Sequence, residues 1–129
     1  MEIDSSLAAM KKKWALTKRA QYLSVYKSGK AWADNFVVVK ALPNGFESSR
    51  YGFSVTKGLG KAVTRNRIRR LLREVVRLTS IEPGWDIVFI ARPSAADADY
   101  HRIRDSVNSM LVRAHLLREK HEMVGPGAN

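Results

Sequence analysis

Eight basic side chains, Lys57, Lys61, Arg65, Arg67, Arg69, Arg70, Arg73 and Arg77, lie between positions 57 and 77, and Glu74 is the only acid among them. A solvated helix face usually mixes signs; this run does not. Six of the eight are arginine, which grips phosphate through a planar fork and stacks on bases, whereas lysine offers a point charge. The chemistry these residues can do is the binding of a phosphate-rich polyanion. The whole chain agrees: 129 residues carry 23 Lys+Arg against 12 Asp+Glu, a net charge of +11. That surplus on one small domain points to nucleic acid or an anionic surface. Nucleic acid is the stronger reading, because the helix face opposite the arginines is needed for a core.

Other chemistries find little support. Glu74, Asp86, Asp97, Asp99 and Asp105 are the candidate carboxylates. Glu74 reads as an ion-pair partner among arginines, and Asp97 and Asp99 suit a helix start. His101, His115 and His121 show no ligand-like spacing to acids. There is no cysteine, hence no thiol nucleophile and no cysteine zinc site. Gly58-Leu59-Gly60 lacks the rest of a phosphate-loop pattern. No catalytic residue and no protein metal site are expected. Tyr22 and Tyr26, four residues apart, share one helix face. They fit either a half-buried core or a platform on which unpaired bases stack beside basic groups.

The elements that must position these residues follow from period and punctuation. Residues 1–13 read as a flexible basic leader, with Met10 an alternative start. A helix is predicted from Thr17 to Ser28 on the spacing Leu16, Ala20, Leu23, with Gly29 as a stop that takes positive φ. Phe36 to Leu42 is β-branched and reads as a strand. Pro43-Asn44-Gly45 is a turn signal, and Arg50 to Thr56 reads as a second strand, antiparallel to the first. A long helix runs from about Lys61 to Leu78. At 100° per residue, Thr64, Ile68, Leu71, Leu72, Val75, Val76, Leu78 and Thr79 share one sector. Asn66, Arg69, Arg70, Arg73 and Arg77 lie opposite, with Arg65 and Arg67 at the flanks. Replacing Arg65, Arg67, Arg69 or Arg73 is therefore expected to leave the fold nearly intact. Trp85 to Ala91 reads as a central strand, and apolar spacing from Tyr100 through Ile103, Val107, Met110, Leu111, Ala114 and Leu117 predicts a last helix. Trp14, Trp32 and Trp85 are read as packing residues. Residues 119–129 read as a disordered tail, leaving 14–118 as one α/β domain of order α-β-β-α-β-α. No apolar run reaches the roughly 18 residues of a membrane span, and the segment after Lys11-Lys12-Lys13 is too short and charged for a signal peptide. A soluble cytoplasmic protein without a membrane partner is expected. Strands flanking the arginine helix argue against a helix-turn-helix and DNA.

The run Phe53-Ser-Val-Thr-Lys57-Gly-Leu-Gly60-Lys61-Ala62-Val63-Thr64-Arg65-Asn66-Arg67-Ile68-Arg69-Arg70-Leu71-Leu72-Arg73-Glu74 closely resembles the signature of the bacterial ribonuclease P protein subunit. The first helix, the strand from Phe36 to Val39 and the strand from Asp86 to Ala91 extend the resemblance over roughly residues 14 to 118. It implies an α+β fold, a two-layer α/β sandwich similar to the second domain of ribosomal protein S5, with a left-handed β-α-β crossover around the arginine helix. It implies a protein that assists a catalytic RNA in removing the 5′ leader from precursor tRNA. Its partners would be the catalytic ribonuclease P RNA and the leader. Its cofactor would be magnesium, held mainly by the RNA.

By the same resemblance, Lys57, Lys61, Arg65, Asn66, Arg67, Arg69, Arg70 and Arg73 would face RNA. Tyr22, Tyr26, Val37 and Val39 would line the leader cleft. Val39 stands where an aromatic is common, and Gly58 where a basic residue is common. The rival expectation is a structural RNA-binding protein of the ribosome with the same charge and fold but no part in cleavage.

Overall fold

A computed structural model describes residues 14–118. The leader, tail and alternative-start expectations fall outside the described residues. The elements are α1 (Arg19–Ser28), β1 (Lys30–Ala33), β2 (Val37–Pro43), β3 (Arg50–Ser54), a 3-10 turn (Lys57–Leu59), α2 (Ala62–Arg77), β4 (Trp85–Ala91), a second 3-10 turn (Pro93–Asp97) and α3 (Tyr100–Arg113). One four-stranded mixed sheet has the order β1-β2-β4-β3.

Two strand relations differ from expectation. β1 was not foreseen: Lys30-Ala-Trp-Ala33 is short and mostly exposed, and it exists because Lys30 to Ala33 pair antiparallel with Ala41 to Val38. β2 and β3 are not neighbours. β4 lies between them, antiparallel to β2 and parallel to β3. The crossover from β3 through α2 to β4 is thus a parallel one, while β4, paired on both sides, is the central strand its apolar run predicted. Asp86 of β4 is buried and takes a two-pronged bond from its register partner Arg50, at 2.8 and 2.7 Å. Asn44 Nδ2 donates to the same carboxylate at 3.0 Å. Asp86 pins β3 and the β2–β3 loop to the sheet.

Strand alternation divides the sheet into two faces. Val37, Val39, Ala41, Ile87, Phe89 and Ala91 form one, and they pack with Ile68, Leu72, Val75 and Val76 of α2 and Ile103, Val107, Met110 and Leu111 of α3. This is the main core. Each fully buried aliphatic side chain here contributes roughly 1.5–3 kcal/mol. Leu78 leaves the predicted stripe and is 57% exposed, because α2 ends at Arg77. α1 covers the opposite face over a smaller cluster, Leu16, Val25 and Val88, flanked by Tyr22, Tyr26, Leu42 and Ile90. Its buried stripe is Tyr22, Val25 and Tyr26; the predicted Ala20 and Leu23 are exposed. The helix begins at Arg19 because Gln21 Oε1 accepts from the Thr17 and Lys18 amides at 2.8 and 2.9 Å. Gly29 ends it for a different reason than expected. Its φ is −78°, but a Cβ there would sit 2.6 Å from the Val25 carbonyl oxygen and 2.9 Å from that of Ala41.

Candidate nucleic-acid interface

The end of the sheet where β3 and β4 finish carries the basic loops. The Lys57–Leu59 turn follows β3, and Gly60 takes φ +131°, which glycine tolerates. Lys61 caps α2. Lys57, Lys61, Asn66 and Arg70 are exposed. None of these three cations makes a side-chain hydrogen bond or ion pair found among the described residues, so each is available to phosphate.

The other arginines are partly committed to the fold. Arg65 Nη1 donates to the Gly60 carbonyl at 2.8 Å, holding the loop against the first turn of α2. Arg69 donates to Asn66 Oδ1 at 3.1 Å and to the Val55 carbonyl at 3.3 Å. Arg67 donates to the Ala98 carbonyl at 3.2 Å and, more closely, to that of Ala96. Its fork ties α2 to the segment that follows β4. These bonds alter the expectation that replacing Arg67 or Arg69 leaves the fold untouched. Arg73 lies half-buried on the same side as Arg69. Arg77 pairs with Glu74 at 2.7 Å, the helix ion pair expected of that acid.

A groove of about 430 Å³ lies between α1 and the end of β3, lined by Thr17, Arg19, Tyr22, Leu23, Tyr26, Phe53 and Ser54. Tyr22 and Tyr26 serve both readings at once. Their inner faces pack on the α1 cluster, and the same rings line the groove, 6.4 Å apart and tilted. Gly52 makes room for Tyr22: a Cβ there would stand 2.6 Å from the ring. Burial pushes the Tyr22 hydroxyl pKa up, only partly offset by its bond to the Phe53 backbone, so the ring presents a neutral face. Lys40 reaches across from β2. Its Nζ donates to the Tyr26 carbonyl at 3.2 Å and sits 5.7 Å from the ring centroid.

Val37 and Val39 are not groove residues. Both are 0% exposed and belong to the main core beneath α2 and α3. The strand period puts their neighbours Val38 and Lys40 on the α1 face instead. No residue of β2 lines the groove itself; the side chains the resemblance named on that strand face the main core. Arg19, Lys40 and Phe53 went unnoticed. A signal existed for Lys40, since it is the one charge inside an otherwise apolar strand; Phe53 borders the groove where the Tyr22 hydroxyl meets its backbone, while its ring stacks on Phe89 of the main core, 5.7 Å between centroids.

Groove and arginine helix are continuous. Phe53 and Ser54 line the groove, and the next carbonyl, that of Val55, accepts from Arg69. A chain leaving the tyrosines meets the arginines within a residue or two of β3. Among the described residues no three histidine or carboxylate side chains gather as a metal site, and no helix is long and apolar enough to cross a membrane. Asp99 caps α3 by accepting from the Arg102 amide at 2.9 Å, the helix-start role its position suggested.

Comparison with known proteins points the same way. Residues 10–115 match the family model for ribonuclease P. The ribonuclease P protein component of a Roseiflexus species is 45% identical over 112 residues, 84% of this chain and 92% of that protein. That of Caldanaerobacter subterraneus is 41% identical over 107 residues, 81% and 92% respectively. Among solved structures, a Staphylococcus aureus RNase P protein, a mutant with defective mRNA degradation activity, superposes with a TM-score of 0.79 at 34% identity, covering 90% of this chain and all of that one. The RNase P protein from Thermotoga maritima gives 0.72 at 32% identity, covering 78% and 97%. With most of its length matched in both sequence and fold, the chain belongs to the ribonuclease P protein family.

Proposed function

We propose that the chain is the protein partner of a catalytic ribonuclease P RNA and helps it remove the 5′ leader from precursor tRNA in the cytoplasm. The observation that carries this reading is the unbroken surface from the tyrosine groove to the arginine helix. The groove holds unpaired leader nucleotides on Tyr22 and Tyr26. Lys57, Lys61, Arg65, Asn66, Arg69, Arg70 and Arg73 meet RNA phosphates, and Arg67 fixes the helix that presents them. Binding the leader and the RNA together positions the scissile bond, which is an entropic contribution.

Magnesium would supply the metal-assisted attack of water. The surface described is cationic, which suits RNA phosphate better than a divalent cation, and Glu74, Asp86 and Asp105 sit in ion pairs. The ion therefore belongs to the RNA. The protein acts on it only by lowering phosphate repulsion around the RNA's own sites.

The test is leader removal by a bacterial ribonuclease P RNA at low magnesium, with and without the protein. Restored cleavage is expected. Tyr22→Ala or Tyr26→Ala should weaken precursor binding by roughly 1–3 kcal/mol and leave binding of mature tRNA, which has no leader, nearly unchanged. Tight RNA binding without any gain in cleavage would reject the proposal and return the ribosomal alternative.

A further inference from the structure

A second pocket of about 430 Å³ opens at the other end of the sheet, on the far side of β3 from the tyrosine groove. Its walls include Trp14, Glu47, Ser48, Tyr51, Arg77 and Thr79. Trp14 is 42% exposed, although indoles normally bury most of their surface. Ala15 holds it there through a parallel bridge to Tyr51, and the Leu16 amide donates to the Tyr51 carbonyl at 2.8 Å. Phe46 and Leu78, chain neighbours of Glu47 and of Arg77 and Thr79, are 58% and 57% exposed. Of these three Trp14 alone lines the pocket, while the Phe46 ring carries the Arg50 guanidinium 4.9 Å from its centroid; the indole is the exposed apolar face that a planar ligand in the pocket would cover.

The arginine helix leads to this pocket. Arg65, Arg69, Arg73 and Arg77 recur at intervals of four, each a neighbour of the next on the helix surface. The row spans about 18 Å along the axis at 1.5 Å per residue. It starts at the Gly60 loop and ends with Arg77 on the pocket wall. Arg77 is paired with Glu74, but both are more than 40% exposed, and an exposed pair of this kind is weak enough for a phosphate to displace. A nucleic-acid strand tracking the row is delivered to an indole face, the hydroxyls of Ser48, Ser49, Tyr51 and Thr79, and one carboxylate. Ser48 suits a base edge, and Thr79, whose hydroxyl donates to the Val75 carbonyl at 2.6 Å, is left as an acceptor. Glu47 would repel a phosphate but accepts from an exocyclic amino group.

We propose that this pocket receives one unpaired, amino-bearing nucleobase stacked on Trp14, from the RNA strand that the arginine row carries; the proposal rests on the function proposed above. The base could belong to the catalytic RNA or to a distal part of the leader, and the experiment separates them. Binding of a bacterial ribonuclease P RNA, and of precursor tRNAs with short and long leaders to the holoenzyme, is measured for Trp14→Ala, Trp14→Phe and Ser48→Leu. Trp14→Ala is expected to weaken one of these by roughly tenfold, the size of a lost stack, and Trp14→Phe to restore most of it. Ser48→Leu, which fills the pocket, should match the alanine variant. A loss with the catalytic RNA alone assigns the base to it, and a loss only with the long leader assigns it to the leader. In whichever RNA loses affinity, replacing the amino-bearing base by uracil should weaken binding to the wild-type protein and leave binding to Trp14→Ala nearly unchanged. Folded Trp14→Ala and Ser48→Leu proteins that bind every RNA like the wild type overturn the proposal; if Trp14→Ala melts, Ser48→Leu decides alone. Wild-type stimulation of leader removal at low magnesium supports the parent function whichever way these variants fall, and its absence rejects the parent function instead.

Discussion

Two arginines three residues apart on α2 should behave in opposite ways. Arg67 donates two bonds to the carbonyls of Ala96 and Ala98, and Ala98 is buried. Arg70 is exposed. Removing a charged donor from buried carbonyls costs roughly 1.5–3 kcal/mol per bond. The Arg67 guanidinium is only part-buried, so the lower end applies, and Arg67→Ala should lose about 2–3 kcal/mol in total. For a domain of this size that is a fall in Tm on the order of 10 °C. Arg67→Lys keeps the charge but not the fork, and should recover part of the loss. Arg70→Ala should cost less than about 0.5 kcal/mol of stability. It should instead lower the slope of log K against log salt for RNA binding by about 0.7–0.9, one phosphate contact. The assay pairs thermal melting with RNA titrations across monovalent salt on the same samples. If Arg67→Ala melted like the wild type and lost the same salt slope as Arg70→Ala, Arg67 would be an ordinary phosphate contact. The clamp on the segment after β4 would then have no energetic weight.

Gly52→Ala should force the Tyr22 ring out of its seat, since the new methyl would lie 2.6 Å from it. A stability loss of roughly 1–3 kcal/mol is expected, with precursor affinity falling toward that of Tyr22→Ala and mature tRNA unaffected. The double variant Tyr22→Ala/Gly52→Ala should be less destabilised than the two single losses combined, measurable as a coupling in urea unfolding. Asp34 is the group to watch in acid. Burial pushes its pKa up, but the Ser106 hydroxyl, the Phe36 and Val37 amides and the Arg113 charge outweigh that and hold it below the usual carboxylate value. A depressed folded pKa means stability that is present at neutral pH and lost as pH falls below about 4. Asp34→Asn should flatten Tm against pH between about 5 and 3, while an unchanged acid profile would show that the Ser106 bond at 2.6 Å adds nothing.

The arginine helix was legible in the sequence because its chemistry is local. A 3.6-residue period separates Ile68, Leu72 and Val75 from Asn66 and Arg70 without reference to any other element, and the structure buries the first three and exposes the last two. The central strand was equally plain, since Ile87 to Ala91 is apolar on both faces. What only the tertiary structure decided is which face of a strand looks where. Val37 and Val39 were assigned to the groove and lie in the core, because alternation says that neighbours oppose one another but not which side meets α1. β1 is held by its pairing with β2 and not by its own propensity. The distinction between arginines that hold the fold and arginines left for RNA is of the same kind. Arg67 and Arg70 are the same residue type on the same helix, and only the arrival of the Ala96 and Ala98 carbonyls from a segment some thirty residues later in the sequence separates them.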